Sequence, residues 1–286
     1  MTELVRLAVA AMATRFEIVL AGDDPVKLRA AGELALSEIE SCDAAWNRFR
    51  TDSEVSRVVR LAPRGAVPVS LEFLELIMAC ESGWSATSGA FDVTAGSGLG
   101  TSMADVLINV DVRTVAFRRP NVRLDFGAIA KGFALDRAAR VLRESGVDCA
   151  LMHGGTSSVV AIGHPLGQPG FRVLVPGGAS VNLCDEALSV SRADSQMHIL
   201  GESHVVDPRS QQPLVTSRGV AIIAPSGATA EIWSTALLVN QSLVVPPGLC
   251  AHMSDSHPVG RFDLSPNQHA SRSGAEIFAH DIPIAS

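Results

Sequence analysis

The residues best suited to chemistry lie in the run Leu-Asp-Phe-Gly-Ala-Ile-Ala-Lys-Gly-Phe-Ala-Leu-Asp-Arg at positions 124–137. The pattern predicts a strand that ends at Asp125, a tight turn at Gly127 and a helix with Lys131 in its first turn. Free N–H groups at a helix start, together with a lysine, favour phosphate binding. An ordinary strand-turn-helix with a surface lysine explains the same residues equally well. The run does not match the Walker pattern.

Two other signals are weaker, and one further motif is absent. Gly96-x-Gly98-x-Gly100 resembles part of a dinucleotide loop, but no strand is predicted before it, so we interpret it as a flexible loop. The C-terminal histidines lack the spacing of metal ligands on a helix; they are His252, His257, His269 and His280. The sequence contains no G-x-S-x-G, so it does not support a hydrolase nucleophile elbow.

Short strands and scattered helices must position these residues. Strands are predicted around positions 15–20, 121–125, 149–152, 171–175, 204–207 and 219–224. Helices are predicted over 25–46, from Ser70 onward with Phe73, Leu74, Ile77 and Met78 inward, over 128–145 with a stop at Gly146, and over 229–239. This order favours the α+β class with mixed sheets over a regular βαβ array. We expect a single domain over residues 1–245. A hairpin (251–255 with 261–265) and a polar tail should occupy 246–286.

The composition bounds the class of protein. The chain has 286 residues, of which 47% are hydrophobic and 19% charged, as in a globular protein. Its net charge of -7 argues against nucleic-acid binding. The five cysteines are widely spaced and odd in number, which is typical of reduced thiols. With no secretory signal and no long apolar run, we expect a cytoplasmic protein without a membrane anchor.

Further segments carry a family resemblance when they are taken together. They are Met12-Ala-Thr14, Phe49-Arg-Thr-Asp-Ser-Glu-Val-Ser56, Ser88-Gly-Ala-Phe-Asp-Val-Thr94, Gly154-Gly155 with Ala161-Ile-Gly163, His204-Val-Val-Asp-Pro208 and Ala230-Glu-Ile-Trp-Ser-Thr235. With the 124–137 run, they resemble the motifs of the ApbE family, in that family's order across residues 12 to about 240. The resemblance implies an α+β fold related to the T-fold, with mixed sheets and packed helices.

The resemblance also implies a role for each matching residue. The FAD contacts would be Met12, Phe49, Ala90, Phe91, Asp92, Asp125, Lys131 and Val205. Mg²⁺, or Mn²⁺ in its place, would lie between the carbonyl oxygen of Ala128 and the side chains of Glu231 and Thr235. These are oxygen ligands, which magnesium prefers, and residues four apart share one face of a helix. The alternative explanation for Glu231 and Thr235 is that they lie on a solvated face of a helix.

Several positions depart from the family pattern. Glu231 stands where an aspartate is usual, and Arg192 follows Ser191 where a small residue is expected. Thr156 replaces an acid, and Val59 replaces an asparagine. After His-x-x-Asp-Pro the chain continues Arg-Ser-Gln instead of Arg-Thr-Gly. Several of these substitutions fall in the flavin pocket, so the sequence supports flavin binding better than it supports turnover.

The leading prediction is an FAD:protein FMN transferase that moves FMN from FAD to a threonine (or serine) hydroxyl of an acceptor protein, with Mg²⁺ and release of AMP. His204 is the candidate general base, because its ordinary pKa is near neutral. A hydrogen-bonded strand histidine is an equal alternative. Two other functions stay open: hydrolysis of FAD to FMN and AMP, and FAD binding without transfer, as a carrier or as the partner of a redox enzyme.

Overall fold

The structure is a computed structural model that describes residues 2–175, 179–193 and 205–254. The helices are α1 (Pro25–Trp46), α2 (Glu54–Leu61), α3 (Leu71–Ala86), α4 (Ala130–Glu144) and α5 (Gly227–Val239). The strands are β1 (Glu3–Ala11), β2 (Thr14–Gly22), β3 (Val67–Pro68), β4 (Val106–Asn109), β5 (Thr114–Phe117), β6 (Ala150–Gly154), β7 (Ser158–Ile162), β8 (Phe171–Leu174), β9 (Ser180–Leu183), β10 (Ala187–Arg192), β11 (Val206–Asp207), β12 (Gln212–Pro213), β13 (Gly219–Ala224) and β14 (Cys250–Ser254).

A seven-stranded sheet with the order β1-β2-β6-β7-β10-β13-β14 organises the molecule. Helices α1, α4 and α5 pack side by side on one face of this sheet. The opposite face buries a smaller apolar cluster against the β8–β9 hairpin, with Val173 and Leu183 contributed by the hairpin. Side chains alternate between the faces, so that Met152 joins the helix side and Leu151 the hairpin side. The site described below lies where α4 and α5 cross above this sheet.

The α+β class is confirmed by this arrangement. The strand pairs among the described residues are all antiparallel, so these sheets are antiparallel instead of mixed as expected. Strand β14 extends the main sheet along β13 beyond the predicted boundary at 245. The expected partner of that strand, residues 261–265, lies outside the described residues, and the domain division stays a prediction.

Local capping signals explain why several helices begin or end where predicted. Asp24 accepts hydrogen bonds from the N–H groups of Val26 and Lys27, and Pro25 opens α1. Ser70 caps α3 through the N–H of Phe73. Helix α4 is followed by Gly146, whose φ of 72° belongs to the left-handed region.

Two predicted details are wrong. Residues 121–125 form no strand, although Val122 and Leu124 are buried while the residues next to them are not. Met78, which was predicted to face inward, lies on the solvent side of α3 and is 40% exposed. The predictions also omitted α2, which Ser53 caps. Among the described residues, no helix has both the length and the apolarity needed to cross a membrane.

Candidate functional site

The centre of the candidate site is the close crossing of α4 and α5. The two helices meet at Gly132 and Gly227, where neither residue has a side chain to separate them. Beside this contact, the Nζ atom of Lys131 lies 3.5 Å from Oε1 of Glu231. The lysine side chain is 23% exposed and the glutamate side chain 5%. The structure therefore brings together two predicted site residues that are 100 positions apart in the chain.

Glu231 is a buried acid with incompletely satisfied oxygens. The Ser158 hydroxyl, at the start of β7, donates to its Oε1 at 2.5 Å. Within the part of the chain that the structure describes, its Oε2 is buried and has no hydrogen-bond partner. Buried carboxylate oxygens are normally paired or bound to a cation. Oε2 is therefore the oxygen that can take a further ligand.

Thr235 lies one helical turn beyond Glu231 and joins a group of hydroxyl side chains. Its Oγ1 is 3.3 Å from Oγ of Ser191 on β10. Ser191 is also 2.7 Å from Ser234, which in turn is 3.0 Å from Ser189. These contacts hold β10 against α5. The predicted metal ligand Thr235 therefore has a hydroxyl neighbour that the sequence did not indicate.

The turn before α4 differs from the predicted phosphate cradle. The N–H of Gly127 donates to Oδ1 of Asp125 at 2.9 Å, and those of Ile129 and Ala130 donate to the carbonyl oxygen of Phe126. These three N–H groups are already satisfied, so the anion-binding interpretation does not rest on them. Ala128, the third predicted metal ligand, is half-buried in this same turn.

Asp125 connects the turn to a second region of the candidate site. Its side chain forms an ion pair with Arg48 at 3.3 Å, and its N–H donates to the carbonyl oxygen of Val93. Arg48 in turn stacks over the ring of Phe49 at 4.6 Å from the ring centre. The Phe49 ring is 81% exposed. An exposed aromatic ring beside an arginine is available for stacking on a planar ligand.

Asp92 organises its own loop. Its Oδ1 accepts hydrogen bonds from the N–H and the hydroxyl of Thr94, at 2.8 and 2.6 Å, and its Oδ2 accepts one from the N–H of Met103. Burial raises the pKa of the Asp92 carboxyl, and these hydrogen bonds oppose the rise. The preceding Ala90 and Phe91 have buried side chains, and their N–H groups donate to Thr87. Any contact of these two residues with a ligand must therefore use backbone carbonyls.

The glycine-rich loop is part of this second region. The side-chain oxygen of Gln211 accepts hydrogen bonds from the N–H groups of Gly96 and Gly98, at 2.8 and 3.3 Å. Gln211 belongs to the segment after His-x-x-Asp-Pro, where the family pattern has glycine. The loop follows no strand, which agrees with our interpretation that it is not a dinucleotide loop. Gln211, which departs from the family pattern, therefore connects its own segment to the glycine-rich loop, whose Gly96 and Gly98 lie 115 and 113 residues earlier.

The remaining predicted FAD contacts in the described chain, Met12 and Val205, both pack against the main core. Met12 occupies the turn between β1 and β2 with a φ of 50°, and it packs half-buried against the main core. Val205 packs against that core as well, and its carbonyl oxygen accepts from the N–H of Leu214. His204, the candidate general base, lies outside the described residues.

The departures from the family pattern have different positions. Ser191 faces α5, and successive side chains of a strand point to opposite faces, so Arg192 points away from Thr235. Val59 lies on α2 and packs half-buried against the main core. Thr156 is exposed in the turn between β6 and β7. The side chain of Arg192 therefore lies on the face of β10 opposite to Ser191.

A separate pocket of about 530 Å³ lies between α3, α4 and α5. Its walls include Phe133, Ile232 and Trp233, together with Asp136 and three arginines of α4. None of the predicted site residues lines it. The Asp136 carboxyl has a pKa raised to about 6, mainly by burial.

The donor set fits a hard divalent cation. Glu231 offers an unpartnered buried oxygen, Thr235 a hydroxyl and Ala128 a carbonyl, and magnesium prefers such oxygen ligands. The described residues contain no group of three or more His, Cys, Asp and Glu side chains suited to a metal. A site here would therefore need additional oxygens from a phosphate ligand or from water.

The fold and the site define an α+β protein whose buried acid, lysine and surrounding loops suit a phosphate-containing cofactor. Comparison with known proteins gives the family. The family model described as "ApbE family" matches residues 12–243, so the chain belongs to the ApbE family. It is 23% identical to an FAD:protein FMN transferase of Klebsiella pneumoniae (strain 342), over 85% of this chain and 81% of that protein.

Solved structures agree with this assignment. The ApbE protein of Thermotoga maritima superposes with a TM-score of 0.72 and 25% identity, and the match covers 83% of this chain and 87% of that one. The flavin transferase ApbE of Vibrio cholerae gives a TM-score of 0.71 with 22% identity, over 91% and 96% of the two chains. The ApbE-like fold predicted from the sequence motifs is confirmed.

Proposed function

We propose that this protein is an FAD:protein FMN transferase that uses Mg²⁺, moves FMN to a threonine or serine hydroxyl of an acceptor protein and releases AMP. The protein is a flavin transferase by family, and the curated relatives carry the name FAD:protein FMN transferase. The observation that carries the proposal in this chain is Glu231. Its buried Oε2 has no partner in the described part of the structure, and Lys131 lies beside its other oxygen.

Glu231, Thr235 and the carbonyl oxygen of Ala128 would hold the metal ion. When bound, the ion supplies charge neutralisation for the diphosphate and for the departing phosphate oxygen. Ser158 keeps Oε1 of Glu231 in place, which leaves Oε2 for the ion. Glu231 is one methylene longer than aspartate, and the contact with Ser158 supports this longer side chain at the site.

Lys131 would bind the diphosphate of FAD. Its Nζ is 3.5 Å from Glu231, so a negatively charged diphosphate beside Glu231 would also lie within its reach. A compact ammonium binds phosphate as a point charge. Asp125 would orient the loop through Arg48, and the exposed ring of Phe49 would stack on a ring of FAD. Met12, Ala90, Phe91, Asp92 and Val205 would form the surrounding wall, Ala90 and Phe91 through their backbones.

The reaction is a displacement at phosphorus. The acceptor hydroxyl oxygen forms a bond to the phosphorus on the FMN side of the diphosphate, and the bond from that phosphorus to the bridging oxygen breaks. AMP leaves with that oxygen, and the hydroxyl proton passes to a base, for which His204 is our candidate. In hydrolysis, water would replace the acceptor hydroxyl.

Release of AMP is the test that separates the functions. FAD and Mg²⁺ are incubated with the full chain, alone or with a threonine-containing peptide, and AMP and flavin-peptide are separated by chromatography. Transfer predicts AMP and flavin-peptide in equal amounts, and neither with a matched alanine peptide. AMP without peptide indicates hydrolysis, and FAD binding without AMP indicates a carrier.

Variants connect this test to the site. Glu231→Gln keeps the size of the side chain but removes the charge, so it should abolish Mg²⁺-dependent AMP release. Glu144→Gln is the matched control, because Glu144 is an exposed glutamate at the end of α4. Equal activity of wild type and Glu231→Gln would contradict the proposed metal site.

A further inference from the structure

Asp136 connects α4 to the start of α5. Its Oδ1 accepts a hydrogen bond from the N–H of Gly227 at 2.6 Å, and its Oδ2 accepts one from the N–H of Ala228 at 2.8 Å. These are the first two N–H groups of α5, which have no acceptor within their own helix. The caps of α1 and α3 come from residues that directly precede those helices, whereas this carboxylate comes from a residue 91 or 92 positions earlier.

Helix α5 has a local cap as well. The hydroxyl oxygen of Ser226 accepts a hydrogen bond from the N–H of Thr229 at 3.2 Å. Ser226 thus satisfies an N–H group further along the first turn of α5, and this bond does not involve α4. The helix therefore has two separate caps, one local and one that joins it to α4.

The connection through Asp136 lies close to the glycine contact. A Cβ atom on Gly132 would lie 2.3 Å from the carbonyl oxygen of Gly227, so the two backbones are as close as packing permits. Asp136 is one helical turn after Gly132, and its carboxylate holds the Gly227 and Ala228 N–H groups. Two contacts one turn apart fix both the separation of the helices and the rotation of α5 about its axis.

The rotation of α5 determines where two site residues point. Glu231 follows Gly227 by one turn, and Thr235 follows by two. A change in the rotation or axial position of α5 would move Glu231 relative to Lys131 and to Ser158, which belong to other elements. Groups that orient metal ligands typically contribute about 10–100-fold to metal affinity.

We propose that Asp136 is a positioning residue for the flavin-transfer site, which sets the register of α5 so that Glu231 and Thr235 meet Lys131. The inference deepens the proposed function and rests on it for the metal. Asp136 contacts neither the metal ligands nor the substrate in this role. It acts through the backbone of Gly227 and Ala228.

The test compares the two caps of α5. Asp136→Asn keeps the size of the side chain but offers one acceptor oxygen to two N–H groups. Ser226→Ala removes only the local cap, and Asp24→Ala removes a two-N–H cap at the start of α1, far along the chain. FAD titrations with and without Mg²⁺ are made by flavin fluorescence on the full chain, at a temperature where circular dichroism is native. Hydrogen exchange is measured without ligands.

In Asp136→Asn we expect Mg²⁺-linked FAD binding to weaken by about tenfold or more. Exchange should become faster through α5 to Thr235. Ser226→Ala and Asp24→Ala should lower the melting temperature while changing the affinity by less than about twofold, since neither residue joins α5 to α4. Asp136→Glu, the conservative variant, should fold but displace α5, and it should recover only part of the affinity.

Several results would overturn the proposal. They are wild-type affinity in folded Asp136→Asn, an equal loss of affinity in Ser226→Ala, and faster exchange confined to Gly227 and Ala228. Failure of both Asp136 variants to fold would show a role in the core instead of at the site. If wild type itself shows no Mg²⁺-linked FAD binding, the proposed function fails, while the exchange experiment still decides whether Asp136 sets the register of α5.

Discussion

A Cβ atom built on Gly132 would lie 2.3 Å from the carbonyl oxygen of Gly227, and one built on Gly227 would lie 2.5 Å from the carbonyl oxygen of Gly132. Both distances are far below a van der Waals contact, so this crossing of α4 and α5 requires glycine on both helices. Lys131 and Glu231 flank the crossing and are held 3.5 Å apart by it. The glycine pair thus determines the geometry of the charged pair.

Gly132→Ala should separate the helices. The added methyl meets backbone atoms of Gly227, which cannot rotate away, so we expect a loss of about 1–3 kcal/mol in the free energy of unfolding. Mg²⁺-linked FAD binding should also weaken, as measured by calorimetry. Gly32→Ala is the control, because in α1 the new methyl meets only the flexible side chains of Leu7 and Leu20. Equal FAD affinity in Gly132→Ala and wild type would contradict this role.

Lys131→Met should weaken FAD binding much more than riboflavin binding. Methionine keeps most of the length and apolar packing of the lysine, but it lacks the charge that would meet the diphosphate, which riboflavin does not have. Both affinities can be measured by quenching of flavin fluorescence. An equal loss for the two ligands would mean that Lys131 serves only to neutralise Glu231.

The sequence predicted those parts of the fold that have local signals. Asp24-Pro25 and Ser70 mark helix starts because the caps are made by neighbouring residues. The alternation of Val122 and Leu124 correctly indicates burial, yet residues 121–125 are not a strand. Their backbone bonds to a loop instead: the N–H of Asp125 donates to the carbonyl oxygen of Val93. Periodicity reports which side is buried and does not report whether a partner strand exists.

The site was predictable only where its residues share an element or a motif. Glu231 and Thr235 were identified by the resemblance of their motif to the family, their spacing puts them on one face of a helix, and α5 contains both. Their partners Ser158 and Ser191 could not be found, because they come from strands 73 and 44 residues earlier, and an isolated serine carries no signal. Asp136 lies inside the motif at 124–137, but its contact with α5 depends on tertiary packing.

Asp136 should also impose a pH dependence on stability. Burial raises its pKa from 3.8 to about 6, against the lowering by Arg143 and by the N–H groups of Gly227 and Ala228, and Glu231 raises it further. Arg137 and Arg140 line the same pocket. Because the folded protein binds this proton more tightly than the unfolded chain, the contribution favours folding below pH 3.8 and is lost as the pH rises to about 6.

The measurement is urea unfolding of wild type and Asp136→Asn between pH 4 and 7. The stability of wild type relative to the variant should fall by about 2 kcal/mol as the pH rises from 4 to 6, because each unit of pKa difference is worth about 1.4 kcal/mol, and it should level off at higher pH. The comparison cancels the contributions of Asp52 and Asp207, whose lowered pKa values act in the opposite direction. A difference that is constant across this range would show that Asp136 does not titrate there.

Replacement of Glu231 tests how this chain tolerates its departure from the family's aspartate. Glu231→Asp keeps the charge, so we expect Mg²⁺-dependent AMP release to be retained, although the shorter side chain retreats from Ser158. Glu231→Ala should abolish it. Wild type should work with Mn²⁺ at least as well as with Mg²⁺, because the longer glutamate displaces the ion and Mg²⁺ demands a near-ideal octahedral shell.

Ser158→Ala separates the role of the length of Glu231 from the role of its charge. The variant removes the hydrogen bond to Oε1 of Glu231, so the carboxylate should be less well fixed and Mg²⁺ should bind more weakly. In the Glu231→Asp background, the same change should have a smaller effect, because the shortened carboxylate has already lost its contact with Ser158. A double-mutant cycle on the apparent Mg²⁺ affinity of the FAD complex measures this coupling. Additive losses would show that Ser158 does not position Glu231, and full activity in Glu231→Ala would remove Glu231 from the metal site.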